Sequence, residues 1–126
     1  MNIKLLITAL IGLSSVLLGS FAEHSLRETI SDEMIRKFMT GIRYHQNYSI
    51  ILLFLSCLQY MNLPAKLLSK FNIAYWIFLF ATVTFSGSVY LFVLTGSKAV
   101  SYIAPIGGIS LMLAWLYIAY IALSKN

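Results

Sequence analysis

Apolar residues fall into four long runs along the chain, at about residues 5–22, 44–61, 71–94 and 104–123. A helix needs about 20 apolar residues to cross about 30 Å of hydrocarbon, so the pattern predicts four transmembrane helices. The strict alternation of a membrane β-barrel is missing from all four runs. Backbone groups in lipid must be satisfied within the element that carries them, so the chain reads as all-α. The punctuation agrees. Lys4 precedes the first run, and Pro64, Lys66 and Lys70 mark a short turn after the second. Gly96, in Thr95-Gly96-Ser97-Lys98, suits a helix C-terminal cap, and Pro105 stands in the first turn of the fourth run, where a missing N–H costs little.

One segment has a different periodicity. Over about residues 30–42, Ile30, Met34, Ile35, Phe38 and Ile42 fall on one half of a helix, and Asp32, Glu33, Arg36 and Lys37 on the other. Ser31 is a good N-cap for it, and Thr29-Ile30-Ser31-Asp32 has the spacing of a capping box. Asp32–Arg36 and Glu33–Lys37 are i,i+4 pairs with the acid N-terminal, the better orientation. Glu23–Arg27 and His24–Glu28 share that spacing. The prediction is a short amphipathic helix between spans 1 and 2, lying on the membrane surface with its apolar face down.

Composition then fixes the class. Hydrophobic residues make up 60% of the 126-residue chain and charged residues 10%, against about 25% charged in soluble domains. This is one membrane domain covering residues 1–126. The net charge of +5 comes from single Lys and Arg residues at the ends of apolar runs, as expected of side chains that snorkel to headgroups. No basic stripe points to nucleic acid. Cys57 is the one cysteine, so no disulfide framework exists. Counting basic residues on the two sides of the four-span topology gives no clear orientation; the lack of paired acids beside Lys4, Lys66, Lys70 and Lys125 favours cytoplasmic termini.

Small residues recur where helices should meet. Thr8, Gly12, Ser15, Gly19 and Ala22 share one face of the first span; Ser86, Gly87 and Ser88 lie in the third, and Gly107 and Gly108 in the fourth. Lipid gives helices little hydrophobic reason to associate, so close approach over small residues must hold them together. Lys4, the run Leu5–Leu18 and Ser20-Phe21-Ala22 also have the layout of a signal peptide. The small-residue face favours a retained span. Tyr60, Tyr75, Trp76, Tyr102, Tyr117 and Tyr120 lie towards span ends, where aromatic rings collect at the interface.

All four acids and both histidines lie between Glu23 and His45. Ionisable groups in a membrane protein are functional candidates. Pairing at helical spacing neutralises the middle of that window and leaves Glu23, His24, Arg43, Tyr44 and His45 as the candidate polar cluster. A Glu23–Arg43 contact would bridge the first two helices. Histidine titrates near physiological pH, which would suit a proton relay. Two histidines without a third ligand make no metal site, and no nucleophile elbow, zinc-protease motif, P-loop or Cys-x-x-Cys occurs.

Four segments together resemble a known family. Gly19-Ser20-Phe21-Ala22-Glu23-His24-Ser25-Leu26, Thr40-Gly41-Ile42-Arg43-Tyr44, Phe85-Ser86-Gly87-Ser88-Val89-Tyr90 with Leu94-Thr95-Gly96, and Pro105-Ile106-Gly107-Gly108 occur in that order. They resemble the YgdD-like family of small bacterial integral membrane proteins of unknown function. The first motif departs from the family pattern at Ala22 and Glu23 and keeps His24. Tyr48 stands where the family usually places a second histidine. The resemblance implies a four-helix membrane protein and brings no reaction with it.

The functional expectation is a non-enzymatic multi-pass protein of the bacterial plasma membrane. It would need no cofactor and act through helix packing with itself, the lipid bilayer or a membrane-protein partner. The alternative is a small oligomeric transporter or proton-linked permease using the Glu23/His24/Arg43/Tyr44/His45 cluster.

Overall fold

A computed structural model describes residues 1–125. It contains four long helices, α1 (Ile3–His24), α2 (Asp32–Cys57), α3 (Ala65–Thr95) and α5 (Ala104–Leu123), with a single-turn helix α4 (Lys98–Ser101) before the last. Short 3₁₀ turns at Leu26–Glu28 and Leu58–Tyr60 follow α1 and α2. Among the described residues three stretches are long and apolar enough to cross a membrane: Ile3–Glu28, Ala65–Thr95 and Lys98–Leu123.

Local chemistry sets the helix ends. Asn2 accepts a hydrogen bond from the Leu5 amide at the start of α1, and Ser31 does the same for Met34 at the start of α2. Asp32 and Glu33 then occupy the first turn of α2, where the helix dipole favours negative charge. Pro64 precedes α3, and Gly96 ends it with φ at 68° and its N–H bonded to the Phe92 carbonyl at 2.8 Å. That left-handed conformation is the one a glycine cap supplies without strain.

The largest departure from the sequence pattern is α2. Residues 30–42 do not form a separate surface helix; they are continuous with the second apolar run from Asp32 to Cys57. Ile35, Phe38 and Ile42 are buried against Ala22, Leu26, Tyr90 and Val93. The apolar stripe that would suit a membrane surface is covered instead by α1 and α3. The charged half faces outward, with Lys37 and Glu33 paired at 3.1 Å.

The helices run antiparallel in chain order, α1 beside α2, α2 beside α3 and α3 beside α5; among the described residues α1 and α5 do not approach each other. Two buried clusters lie along this row. One joins Leu52, Leu55, Tyr75, Phe78, Leu111 and Ala114 near the end that holds Asn2. The other surrounds Phe38 and Tyr90 near the opposite end. The register of α1 on α2 is fixed at both extremes: the Asn2 amide donates to the Ser56 carbonyl at 3.5 Å, and the Phe21 and Phe38 rings lie 6.4 Å apart.

The small residues divide into two groups. Thr8, Ser15 and Ala22 of α1 are buried, and a β-carbon at Gly19 would meet Gln46 and Ile42 at ordinary contact distance. Gly12 and Gly87 have nothing within 4 Å of an added β-carbon, and Gly108 only the Phe85 ring at 4.0 Å. These three are therefore not points of tight helix contact. Gly107 is: a β-carbon there would fall 2.6 Å from the Phe85 Cα. Gly41 is a second close approach, towards Tyr90 and Val89. Tyr75, expected at the interface, stands about three turns into α3; its ring is fully buried, and its hydroxyl donates to the Lys4 carbonyl at 2.9 Å.

Candidate functional site

The five residues of the sequence-derived cluster do not come together. Glu23 pairs with Arg27 at 3.0 Å, one turn along its own segment. His24 is exposed at the end of α1. Arg43 is exposed and makes no ion pair or hydrogen bond among the described residues. The expected Glu23–Arg43 bridge is absent among the described residues, because Arg27 at i+4 satisfies the carboxylate locally. Tyr44 is also turned outward, its ring 6.0 Å from that of Tyr48 and 4.7 Å from that of Phe85. His45 alone points inward, and it is buried.

His45 stands on the face of α2 that carries Phe38, Ile42, Ser49 and Leu52, all buried. Its Nδ1 lies 2.9 Å from the Tyr90 hydroxyl of α3, and its Nε2 lies 3.3 Å from the Ser14 hydroxyl of α1. Ser14 donates its own hydrogen to the Ile11 carbonyl at 2.8 Å. With that hydrogen engaged, Ser14 can only accept from Nε2–H. In neutral imidazole one nitrogen donates and the other accepts, so Nδ1 accepts from the Tyr90 hydroxyl. The pattern assigns the neutral Nε2–H tautomer and gives a donor chain running Tyr90 to His45 to Ser14 to Ile11 O.

Neighbouring polar groups follow the same rule. Ser86 of α3 donates across to the Gly41 carbonyl of α2 at 2.8 Å, which the missing side chain of Gly41 makes reachable. Thr8 and Tyr75 join α1 to α3 through their hydroxyls at 3.1 Å, and the Lys4 ammonium donates to the Asn72 side-chain oxygen. Ser15, Ser49, Ser88 and Thr82 return their hydrogens to carbonyls of their own helices. Among the described residues no buried side-chain nitrogen or oxygen lacks a partner.

The His45 chain sits deep. Ser14 lies near the middle of α1, and His24, ten residues further on, is about 15 Å away along the helix axis. The two histidines thus belong to different levels of the protein. Beside His45, Ile11, Leu18, Thr82, Ser86 and Tyr90 bound a recess of about 200 Å³ between α1 and α3. Among the described residues no three His, Cys, Asp or Glu side chains gather to hold a metal ion.

Sequence reasoning missed Ser14 and treated Tyr90 only as part of a motif. Neither carries a charge, and their link to His45 runs between helices, beyond the reach of i,i+4 spacing. The burial side of α2 held the one available signal: His45 falls three and seven residues after Ile42 and Phe38, on the apolar stripe.

Residues 18–108 match the family described as "Protein of unknown function (DUF423)". Across 124 residues, 97% of each chain, the sequence is 28% identical to the UPF0382 membrane protein YwdK of Bacillus subtilis. A UPF0382 membrane protein of Haemophilus influenzae is 29% identical over 119 residues, 94% of this chain and 92% of the relative. The UPF0382 inner membrane protein YgdD of Escherichia coli is 28% identical over 115 residues, 88% of this chain and 82% of its own. No solved structure is a significant match. The apolar helices and the membrane proteins it resembles make the chain a multi-pass membrane protein, and the match over residues 18–108 places it in the DUF423 family of unknown function, to which the YgdD-like proteins belong.

Proposed function

We propose that the chain crosses the plasma membrane four times and works without catalysis, through helix packing with itself, with lipid or with a membrane partner. The observation that supports a non-catalytic role is that the buried hydroxyl and imidazole groups are taken up by neighbouring helices. Tyr90, His45, Ser14, Ser86 and Tyr75 all bond between or along helices. Such bonds contribute to helix association in lipid. The fourth crossing is α2. It runs beside α1 from Asn2–Ser56 at one end to Phe21–Phe38 at the other, so it traverses the same thickness as a helix that is itself long enough to span. Its charged residues face outward near one end, within snorkelling reach of the headgroups.

Reporters fused separately to the two termini test the topology. Both are expected on the same side; opposite sides would remove α2 as a crossing. A crosslinking and pull-down survey in native membranes tests the role, with His45→Asn expected to retain the crosslinked species.

A proton-linked permease is the second reading, favoured by one observation: His45, a titratable group, borders the recess between α1 and α3. Proteoliposomes carrying a pH gradient decide it. Flux that disappears with His45→Asn and Tyr90→Phe would displace the packing reading.

A further inference from the structure

The outward face of the first turns of α2 carries a second feature, independent of the His45 chain. Arg27, Asp32, Arg36, Met39, Thr40 and Arg43 bound a recess of about 430 Å³ beside the end of α1. Three guanidinium groups thus meet one carboxylate. Arg27 is held by Glu23, whereas Arg36 and Arg43 form no ion pair among the described residues. Asp32 lies at i−4 to Arg36 and also makes no ion pair among the described residues. The expected Asp32–Arg36 pair is therefore missing, and positive charge collects towards the Arg43 end of the recess.

The depth of these arginines matters. Phe38 lies across from Phe21, which puts Arg36 level with the end of α1, where headgroups begin. Arg43 follows seven residues later, about 10 Å further along the axis, on a face that looks away from the protein. Side chains on a helix lean towards its N-terminus, and for α2 that direction leads back to the headgroups. Arg43 lines the recess together with Met39, Thr40 and Arg36, and a side chain leaning that way lays its stem on apolar surface and its guanidinium towards the headgroups. A guanidinium that reaches the headgroup level without an ion pair among the described residues is placed to meet a lipid phosphate.

We propose that this recess holds the phosphate of an anionic phospholipid, bound between Arg36 and Arg43. Guanidinium groups bind phosphate through paired, parallel hydrogen bonds, and basic recesses at this level are suited to acidic headgroups. Glycerol and acyl chains would continue down the outward apolar surface of α2, where Ile50 and Phe54 are exposed. Asp32 repels the ligand from the opposite end of the recess and fixes it towards Arg43.

Native mass spectrometry of the whole chain in detergent tests this with phosphatidylglycerol and phosphatidylcholine at matched acyl length. Phosphatidylglycerol should be retained preferentially, with a loss of about fivefold for each of Arg36→Gln and Arg43→Gln. Asp32→Asn should strengthen retention. Lys98→Gln removes the same charge away from the recess and should leave retention unchanged. Phosphatidylcholine retention, which reads the folded helices, should be the same in every variant. Equal retention of the two lipids, or equal losses from Lys98→Gln and Arg43→Gln, would overturn the proposal. Inorganic phosphate is the remaining arm: if it displaces phosphatidylglycerol at equal concentration, the recess serves a soluble anion and the lipid assignment fails.

Discussion

Gly107 of α5 lies against the backbone of Phe85 on α3, so close that a β-carbon would stand 2.6 Å from the Phe85 Cα. Backbone cannot swing aside as a side chain can, so Gly107→Ala should push the two helices apart and lose about 1–3 kcal/mol. Gly87, with nothing within 4 Å, should accept alanine with no loss, since alanine is favoured over glycine within a helix by about 1 kcal/mol. Thermal unfolding in detergent, followed by Trp76 and Trp115 fluorescence, compares the two. A lower midpoint for Gly87→Ala than for Gly107→Ala would contradict this arrangement.

The Tyr90–His45 bond can be removed while its ring packing is kept. Tyr90→Phe retains the tilted contact with Phe38 at 4.8 Å and deletes the donor to Nδ1. The expected loss is about 0.6–1.7 kcal/mol, the range for polar links between membrane helices. Nitrogen NMR of His45 should show Nδ1 moving in Tyr90→Phe and Nε2 moving in Ser14→Ala. Movement of the same nitrogen in both variants would refute these contacts, and a protonated Nδ1 beside a bare Nε2 in the unaltered protein would refute the assigned tautomer.

Continuity of α2 makes Tyr44 an interior helix position. Proline there removes a helical hydrogen bond and crowds the preceding turn, at a cost of about 3 kcal/mol. Tyr44→Ala controls for the lost ring contacts with Tyr48 and Phe85. Proline tolerated as well as alanine would mean a break between the charged and apolar halves.

Glu23 should couple to Arg27 and not to Arg43. The Glu23–Arg27 pair is about half exposed on both sides, so a double-mutant cycle should find well under about 1 kcal/mol, falling with salt. The cycle with Arg43 should return zero coupling within error. Coupling to Arg43 that exceeds coupling to Arg27 would revive the inter-helix bridge.

How much of this was legible in the sequence depends on whether a feature is local. Leu5–Ala22, Phe71–Leu94 and Ala104–Leu123 announce their helices by length and apolarity, and the observed α1, α3 and α5 contain them. Gly96 and Ser31 announce caps through their own backbone chemistry. Residues 30–42 misled because an amphipathic stripe looks the same whether lipid or another helix covers it. Only the position of Ala22, Leu26 and Tyr90 in space settles which. The polar cluster failed for a related reason. Charge marked Glu23, His24 and Arg43, whereas the interior selected His45 for the side of α2 on which it stands and paired it with two uncharged hydroxyls.

The donor chain through His45 also has a direction. Every hydrogen from Tyr90 to Ile11 O points the same way, from α3 through α2 to α1. An imidazolium at His45 would donate from both nitrogens, and the Tyr90 hydroxyl would have to turn its hydrogen elsewhere and become an acceptor. One added proton on the middle helix would therefore rewrite the bond to one neighbour and leave the bond to the other in place. The link between α2 and α3 is the one that reads the protonation state; the link between α2 and α1 is indifferent to it.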